Sequence, residues 1–434
     1  MADPRVPVNR PRPADPRGRD YGGRVSSAHV VVVGAGLAGA RSVAELRSQG
    51  FDGQVTLLGA EGVAPYDHPP LSKHLFDRTE PAWLTQEIDV DAEALADDVR
   101  LASPATRLTV TPEDVRVIAG EELVADAAIL ATGARAVVPG ALRAGRTLRT
   151  AADAAGLRQV LVPGSRLVIV GAGWIGAELA WSASRAGVRV TVLEGGIAPM
   201  AGALGPGVGA LTIPWFTDAG IDLRTLATVE DVTADSVTLA GGEVLPADVV
   251  LVAVGARADS AWLADTLRLA PDGAVPVDGE FRPETPGMGR VRVVGDLARR
   301  RSVRHGWVPG GHWDVALHGP TVAVASLLAE LTGEPAPVPG DPAPYVFSDQ
   351  FGKDLGMYGR PDRDDEVVLR GDPKSPAWSV LWFTPGTDEL TGVFAVDRPK
   401  DVTAARHLFT GVGLPRLDRA RAANPDVPLR ETAR

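Results

Sequence analysis

The hydrophobic pattern becomes regular at Ala28, where HVVVV supplies a β-branched run suited to a fully buried strand. GAGLAGA follows, then a helical pattern from Arg41 to Gln49 that Gly50 can cap. A second strand, QVTLLG, ends near Glu61. Strand, glycine turn, helix and strand in that order make the first half of a Rossmann unit.

The pattern is then repeated. RLVIV leads into GAGWIGAELAWSASRAG and on to VRVTVLE, with Gly171 standing 137 residues after Gly34. Both copies close alike, DAAILATGARA from Asp126 to Ala136 and DVVLVAVGARA from Asp248 to Ala258, each a buried strand entering a glycine turn. Such a repeat predicts two dinucleotide-binding modules on one chain. RVRVV, ending at Gly295 and Asp296, reads as a third strand of this kind, and HWDVALHGPTVAVASLLAELTG as a helix stopped near Gly333. EPAPVPGDPAP reads as a linker. EVVLRG, WSVLWFT and LTGVFAV read as strands, and KDVTAARHLFTGVG as a helix. Beyond about residue 415 the pattern assigns no element, and that stretch is left as a tail.

The expected fold class is therefore α/β: two Rossmann-like dinucleotide-binding domains and a small C-terminal α+β domain. The expected division is a disordered tail over 1–27, a discontinuous first domain over 28–144 and 270–334, a second over 145–269, and a C-terminal domain over 335–434.

Composition narrows the function. Lysine and arginine number 44 and aspartate and glutamate 55, a net charge of −11, which argues against a nucleic-acid-binding role. Cysteine is absent, which excludes disulfides, thiolate metal sites, protein-bound iron–sulfur clusters and a cysteine nucleophile. The seven histidines show no metal-ligand spacing. No apolar run reaches the length that spans a bilayer, and the Pro-, Arg- and Asp-rich N-terminus lacks a signal peptide's apolar core. No membrane association and a cytoplasmic location are expected.

The chemistry lies in the glycine turns. Gly34 permits the tight turn, Gly36 lets a pyrophosphate reach the backbone, and Gly39 lets helix and strand pack closely. The helix N-terminus then offers free N–H groups and its positive dipole end to the phosphates. Glu61, 22 residues after Gly39, is placed to accept from a ribose. Gly171, Gly173, Gly176 and Glu194 repeat the set, with Gly255 in the closing turn. A carboxylate at Glu194 favours a free 2′-hydroxyl and repels a 2′-phosphate, and LEGGIAPMAGA carries no arginine to neutralise one. NADH is expected over NADPH.

VVVGAGLAGA, PYDHPPLSK, LATGAR, VIVGAGWIGAELA, VVGDLA, HWDVA, PYVFSDQF and NPDVPLRE together resemble the FAD-dependent NADH:ferredoxin reductases of oxygenase systems, the putidaredoxin-reductase-like and biphenyl-dioxygenase-reductase-like enzymes. The resemblance runs over about 28–434 and implies a glutathione-reductase-like scaffold with FAD in the first module and NAD in the second. It implies Lys73 beside the flavin with Glu178 as its carboxylate partner, Asp296 at the ribityl chain, Trp313 beside the isoalloxazine, and Arg135 in contact with FAD. The implied partner is a [2Fe–2S] ferredoxin feeding a monooxygenase or a Rieske dioxygenase. His68, Gly311 and Ala201 depart from the family pattern, which often has Arg, Glu and Arg there. The run Arg299, Arg300, Arg301 and Arg304 is either a solvated loop or a docking patch for an acidic ferredoxin. Two rival functions share the scaffold: a flavoenzyme reducing a small molecule such as oxygen or a quinone, and a non-catalytic FAD- and NADH-binding interaction protein resembling apoptosis-inducing factor.

Overall fold

The computed structural model describes residues 27–434, so the expected tail lies outside the described residues except for its last position. From His29 the elements are β1 (His29–Val33), α1 (Leu37–Ser48), β2 (Gln54–Leu58), a single helical turn α2 (Pro70–Lys73), β3 (Asp98–Arg100) and β4 (Ala127–Leu130). The repeat supplies β5 (Arg166–Val170), α3 (Trp174–Arg185), β6 (Arg189–Leu193), β7 (Asp222–Arg224) and β8 (Val249–Val252). The chain then makes β9 (Val291–Val293), β10 (Ala298–Ser302) and the long helix α4 (Trp313–Thr332).

The first sheet has the order β9-β4-β1-β2-β3 and is parallel throughout. The second, β7-β6-β5-β8, is also parallel. Parallel strands covered on both faces need apolar side chains on both, which is why VVVV, AAIL, LVIV and VVLV read as continuous runs. Because β9 pairs with β4, the chain returns to the first sheet after building the second.

One expectation needs correction. Helix α4, 20 residues long, is apolar and long enough to cross a membrane. It carries Asp314, His318 and Glu330 as scattered polar positions, so the sequence did not read as one apolar run. In the fold this helix packs along α1, with Ala323, Val324 and Leu327 fully buried.

The C-terminal domain is a five-stranded antiparallel sheet, ordered β11 (Tyr345–Gln350), β12 (Lys353–Gly359), β15 (Leu390–Val396), β14 (Trp378–Phe383), β13 (Glu366–Arg370). Helix α5 (Pro399–Leu408) packs on β15 and β12. The hairpin β11–β12 was not anticipated: its polar residues and glycines hide the alternation. The stretch beyond 415 is not a free tail either. It forms α6 (Arg419–Ala423) and a final turn at Leu429–Thr432, with Leu417, Ala422 and Leu429 in the core. Arg370, 1% exposed, pairs with Asp401 at 2.9 Å and donates to the carbonyls of Ala422, Asn424 and Val427. A buried guanidinium with its donors satisfied in this way fastens the segment down.

The arginine run is also corrected. In β10 alternate residues face opposite sides, so Arg300 points inward while Arg301 faces solvent. The Arg300 and Arg304 side chains are 5% and 4% exposed, and both grip Asp341 in the segment leading to β11. Arg299 pairs with Asp272 and Arg301 with Glu284. This cluster ties the linker to β10 and presents no four-arginine surface.

His305 sits in the same cluster, buried against Phe409. Burial, then Arg304, push its imidazole from 6.5 down to about 4. An unfolded chain takes up that proton below 6.5 and the folded one resists it until about 4, so stability present above this window is lost as pH falls through it. The linkage amounts to about 3 kcal/mol. His305→Gln is expected to flatten the fall of the urea midpoint between pH 7 and 4.5. Equal slopes in the two proteins contradict this assignment.

Candidate active site

The two glycine turns explain themselves by what a side chain would meet. At Gly34, with φ +113°, a Cβ would lie 2.2 Å from the Ala131 carbonyl oxygen, and at Gly39 it would lie 1.7 Å from that of Gly34. A Cβ at Gly36 would meet nothing within 4 Å, and Gly36 lines a large cavity. The second copy matches: 2.5 Å to Ala253 at Gly171, 2.1 Å to Gly171 at Gly176, and open space at Gly173, which lines a second cavity. In each turn the outer glycines permit close packing, and the middle one leaves backbone open at the helix N-terminus, where phosphates are favoured.

The first cavity gathers residues distant in sequence: Asp67, His68, Ser72 and Lys73 around α2, Arg149, Glu178 on α3, Asp296, then Gly311 to Trp313 at the start of α4, and Phe347 on β11. Asp296 accepts from Arg149 at 2.8 Å and from the Gly311 backbone at 3.1 Å. The Trp313 indole N–H donates to Asp67 at 2.8 Å, and its ring meets Phe347 edge-on at 5.8 Å. His68 packs on Tyr66, and burial, then the Arg149 charge, lower its imidazole to about 4, so it is neutral at pH 7. The buried Nδ1 of His312 has no partner among the described residues, as suits a wall that expects a polar ligand.

Lys73 and Glu178 face each other at 3.8 Å with side chains 9% and 7% exposed, and the ammonium lies 4.0 Å from the centre of the Phe347 ring. Glu178 accepts from the Ser72 hydroxyl at 2.6 Å on one oxygen and from the Ser348 hydroxyl on the other. Burial raises the Glu178 carboxyl above the usual carboxylate range, against the pull of Lys73 and the two hydroxyls.

The second cavity is lined by Gly171, Gly173, Glu194, Ala201 and Gly255, as the repeat led one to expect. Glu194 accepts from the backbone N–H groups of Ala172 and Gly196 at 2.8 and 2.7 Å. A carboxylate offers about four lone-pair sites, so this still leaves capacity for ribose hydroxyls. Leu148, Arg149, Trp174 and Ile175 line both cavities, so the two share one wall.

Two residues stand elsewhere. Arg135 is 61% exposed, 3.9 Å from Asp259, and lines neither cavity. It lies on Ala134–Ala136, which pairs with Ala256–Ala258 between the two sheets. The arginine that lines the first cavity is Arg149, which no motif marked. Glu61 is exposed beyond β2 and accepts from the Tyr66 hydroxyl at 2.7 Å. Ser72 and Ser348 lay inside the quoted PPLSK and SDQF motifs without a role, because a serine gives no signal until its neighbours in space are known.

Residues 28–316 match the pyridine nucleotide-disulphide oxidoreductase family and residues 345–433 the reductase C-terminal domain. Rhodocoxin reductase of Rhodococcus erythropolis is 33% identical over 422 residues, 92% of this chain and 93% of that protein. The crystal structure of Fdr9 superposes with a TM-score of 0.82 at 38% identity, over 93% of this chain and 99% of that one. The reductase in the covalent putidaredoxin reductase–putidaredoxin complex superposes at 0.81 with 27% identity, over 94% and 98%. Two repeated nucleotide cradles, their shared wall and these likenesses agree: the chain belongs to the pyridine nucleotide-disulphide oxidoreductase family, and it does so without a single cysteine.

Proposed function

We propose that this chain is an NADH-dependent ferredoxin reductase, holding FAD in the first cavity, NADH in the second, and delivering electrons to a [2Fe–2S] ferredoxin that serves an oxygenase in the cytoplasm. The observation that carries this reading is the common wall. The two cavities meet at Leu148, Arg149, Trp174 and Ile175, so a ligand held in each would adjoin the other there. When bound, FAD supplies the step from a two-electron hydride donor to a one-electron acceptor. With no cysteine in the chain, no thiol relay stands between the cofactor and the outside. The ferredoxin assignment is supported by the likeness to the ferredoxin–NAD(+) reductase component of the p-cumate 2,3-dioxygenase system of Pseudomonas putida, 29% identical over 93% of this chain and 98% of that protein.

The residues of the chain bind, orient and set charge. Gly36 and Gly173 open the backbone to the pyrophosphates, Asp296 is fixed by Arg149 to meet a polyhydroxy chain, and Trp313 is locked by Asp67 beside the cavity. Lys73 holds a positive charge against the site where negative charge accumulates on reduction, and Glu178 keeps that ammonium paired while the site is empty of ligand charge. No docking role is given to the arginine run, whose members are engaged within the chain.

Stopped-flow mixing with NADH should bleach the flavin of the FAD-loaded protein, and a [2Fe–2S] ferredoxin should then restore its colour. Rapid NADH consumption with no protein acceptor, and none added by ferredoxin, overturns the reading. Lys73→Met is expected to slow flavin reduction about a hundredfold to a thousandfold, the range for losing one preorganised electrostatic group. An unchanged rate constant removes Lys73 from the mechanism. Glu194 should make kcat/KM about a hundredfold higher for NADH than for NADPH, since like-charge juxtaposition costs a few kcal/mol. Comparable efficiency with the two coenzymes counts against that role.

A further inference from the structure

Glu178 is 6% exposed, and a carboxylate so placed needs partners for both oxygens. Each has a hydroxyl. Ser72 comes from α2, in the stretch between β2 and β3, and Ser348 from β11 of the C-terminal domain, while Glu178 itself lies on α3 beside the second sheet. Three stretches far apart in sequence thus meet at one carboxyl group.

The two hydroxyls are not equivalent. Ser72 has a second acceptor in reach, the Pro69 carbonyl at 3.4 Å. Ser348 receives a hydrogen bond from the Gln350 side-chain amide at 3.2 Å, which occupies one of its two lone pairs, and donates its own proton to Glu178. Gln350 is fully buried, and the same amide nitrogen lies 3.5 Å from the sulfur of Met200, which lines the second cavity. Ser348 lines neither cavity. Its hydroxyl acts on the site through Glu178 or not at all.

We infer that Ser348, fixed by Gln350, is a positioning residue of the reductase: its hydroxyl holds the Glu178 carboxylate ionised and directed at Lys73, so the C-terminal domain contributes to the active site by this contact. The inference rests on the proposed role of the Lys73–Glu178 pair. The charged groups that face Glu178 are Lys73 from α2 and Asp349 from β11, and they act in opposite directions, Lys73 favouring the carboxylate and Asp349 opposing it. Against that background a hydrogen bond donated to the ionised form shifts its titration by about one pH unit. Removing the donor must raise the carboxyl pKa, so Glu178 stays protonated to higher pH and Lys73 loses its counter-charge there.

The test uses the full-length FAD-loaded protein and reads the carboxyl directly. Infrared difference spectra across pH report the C=O stretch of a protonated buried carboxyl, and the band missing in Glu178→Gln identifies Glu178. Ser348→Ala should move that band's midpoint up by about one pH unit and move the acid limb of the NADH-driven flavin reduction rate by the same amount. Ser348→Thr, which keeps a hydroxyl, should return both toward the wild-type values. Ser72→Ala, acting on the other oxygen, should shift both in the same direction, so the test survives if alanine at 348 prevents folding. A Glu178 band that titrates alike in wild type and both alanine variants overturns the inference. A band that moves while the rate profile stays fixed overturns the positioning role. Failure of the underlying reading is separate: Glu178→Gln would then reduce at the wild-type rate.

Discussion

A buried ammonium and a buried carboxylate, Lys73 and Glu178, sit 3.8 Å apart where three regions of the chain converge. Neither charge is tolerable alone at that depth, and together they are tolerable only with hydrogen bonds to the remaining lone pairs. The second sheet, the turn after β2 and the C-terminal strand β11 must therefore dock in one arrangement for the pair to be satisfied. That arrangement also brings the two nucleotide cavities against one wall. The ammonium that lines the first cavity and the contact that sets the regions against each other are one structure.

The parallel sheets and their cradles were legible because their physics is local. Four or five apolar residues followed by a glycine at a position with φ +113° or +105° leave the chain few other choices, and the repeat doubled the signal. Glu194, Lys73, Glu178, Asp296 and Trp313 fall in or beside the cavities because each sits at a fixed offset from an element whose place was already determined.

What escaped the sequence depends on contacts between distant segments. The β11–β12 hairpin shows little alternation because Phe347 and Ser348 face Lys73 and Glu178 and Gly356 admits Val402 of α5. Arg299, Arg300, Arg301 and Arg304 look like a charged patch in one dimension, but strand geometry buries Arg300, and the turn after β10 carries Arg304 onto Asp341. Arg135 had a motif and stands outside the cavity, whereas Arg149 had none and stands inside it. The order beyond residue 415 depends on Arg370, whose partners lie 52 to 57 residues away.

The central claim is that a nicotinamide and an isoalloxazine are brought into contact across the wall formed by Leu148, Arg149, Trp174 and Ile175. The most direct test is an anaerobic titration of the FAD-loaded protein with NADH, recorded across the visible spectrum. The account predicts loss of the flavin bands at one NADH per chain, with a long-wavelength absorbance from the stacked rings. A protein that binds both ligands yet keeps its flavin oxidised, with no such absorbance, contradicts it.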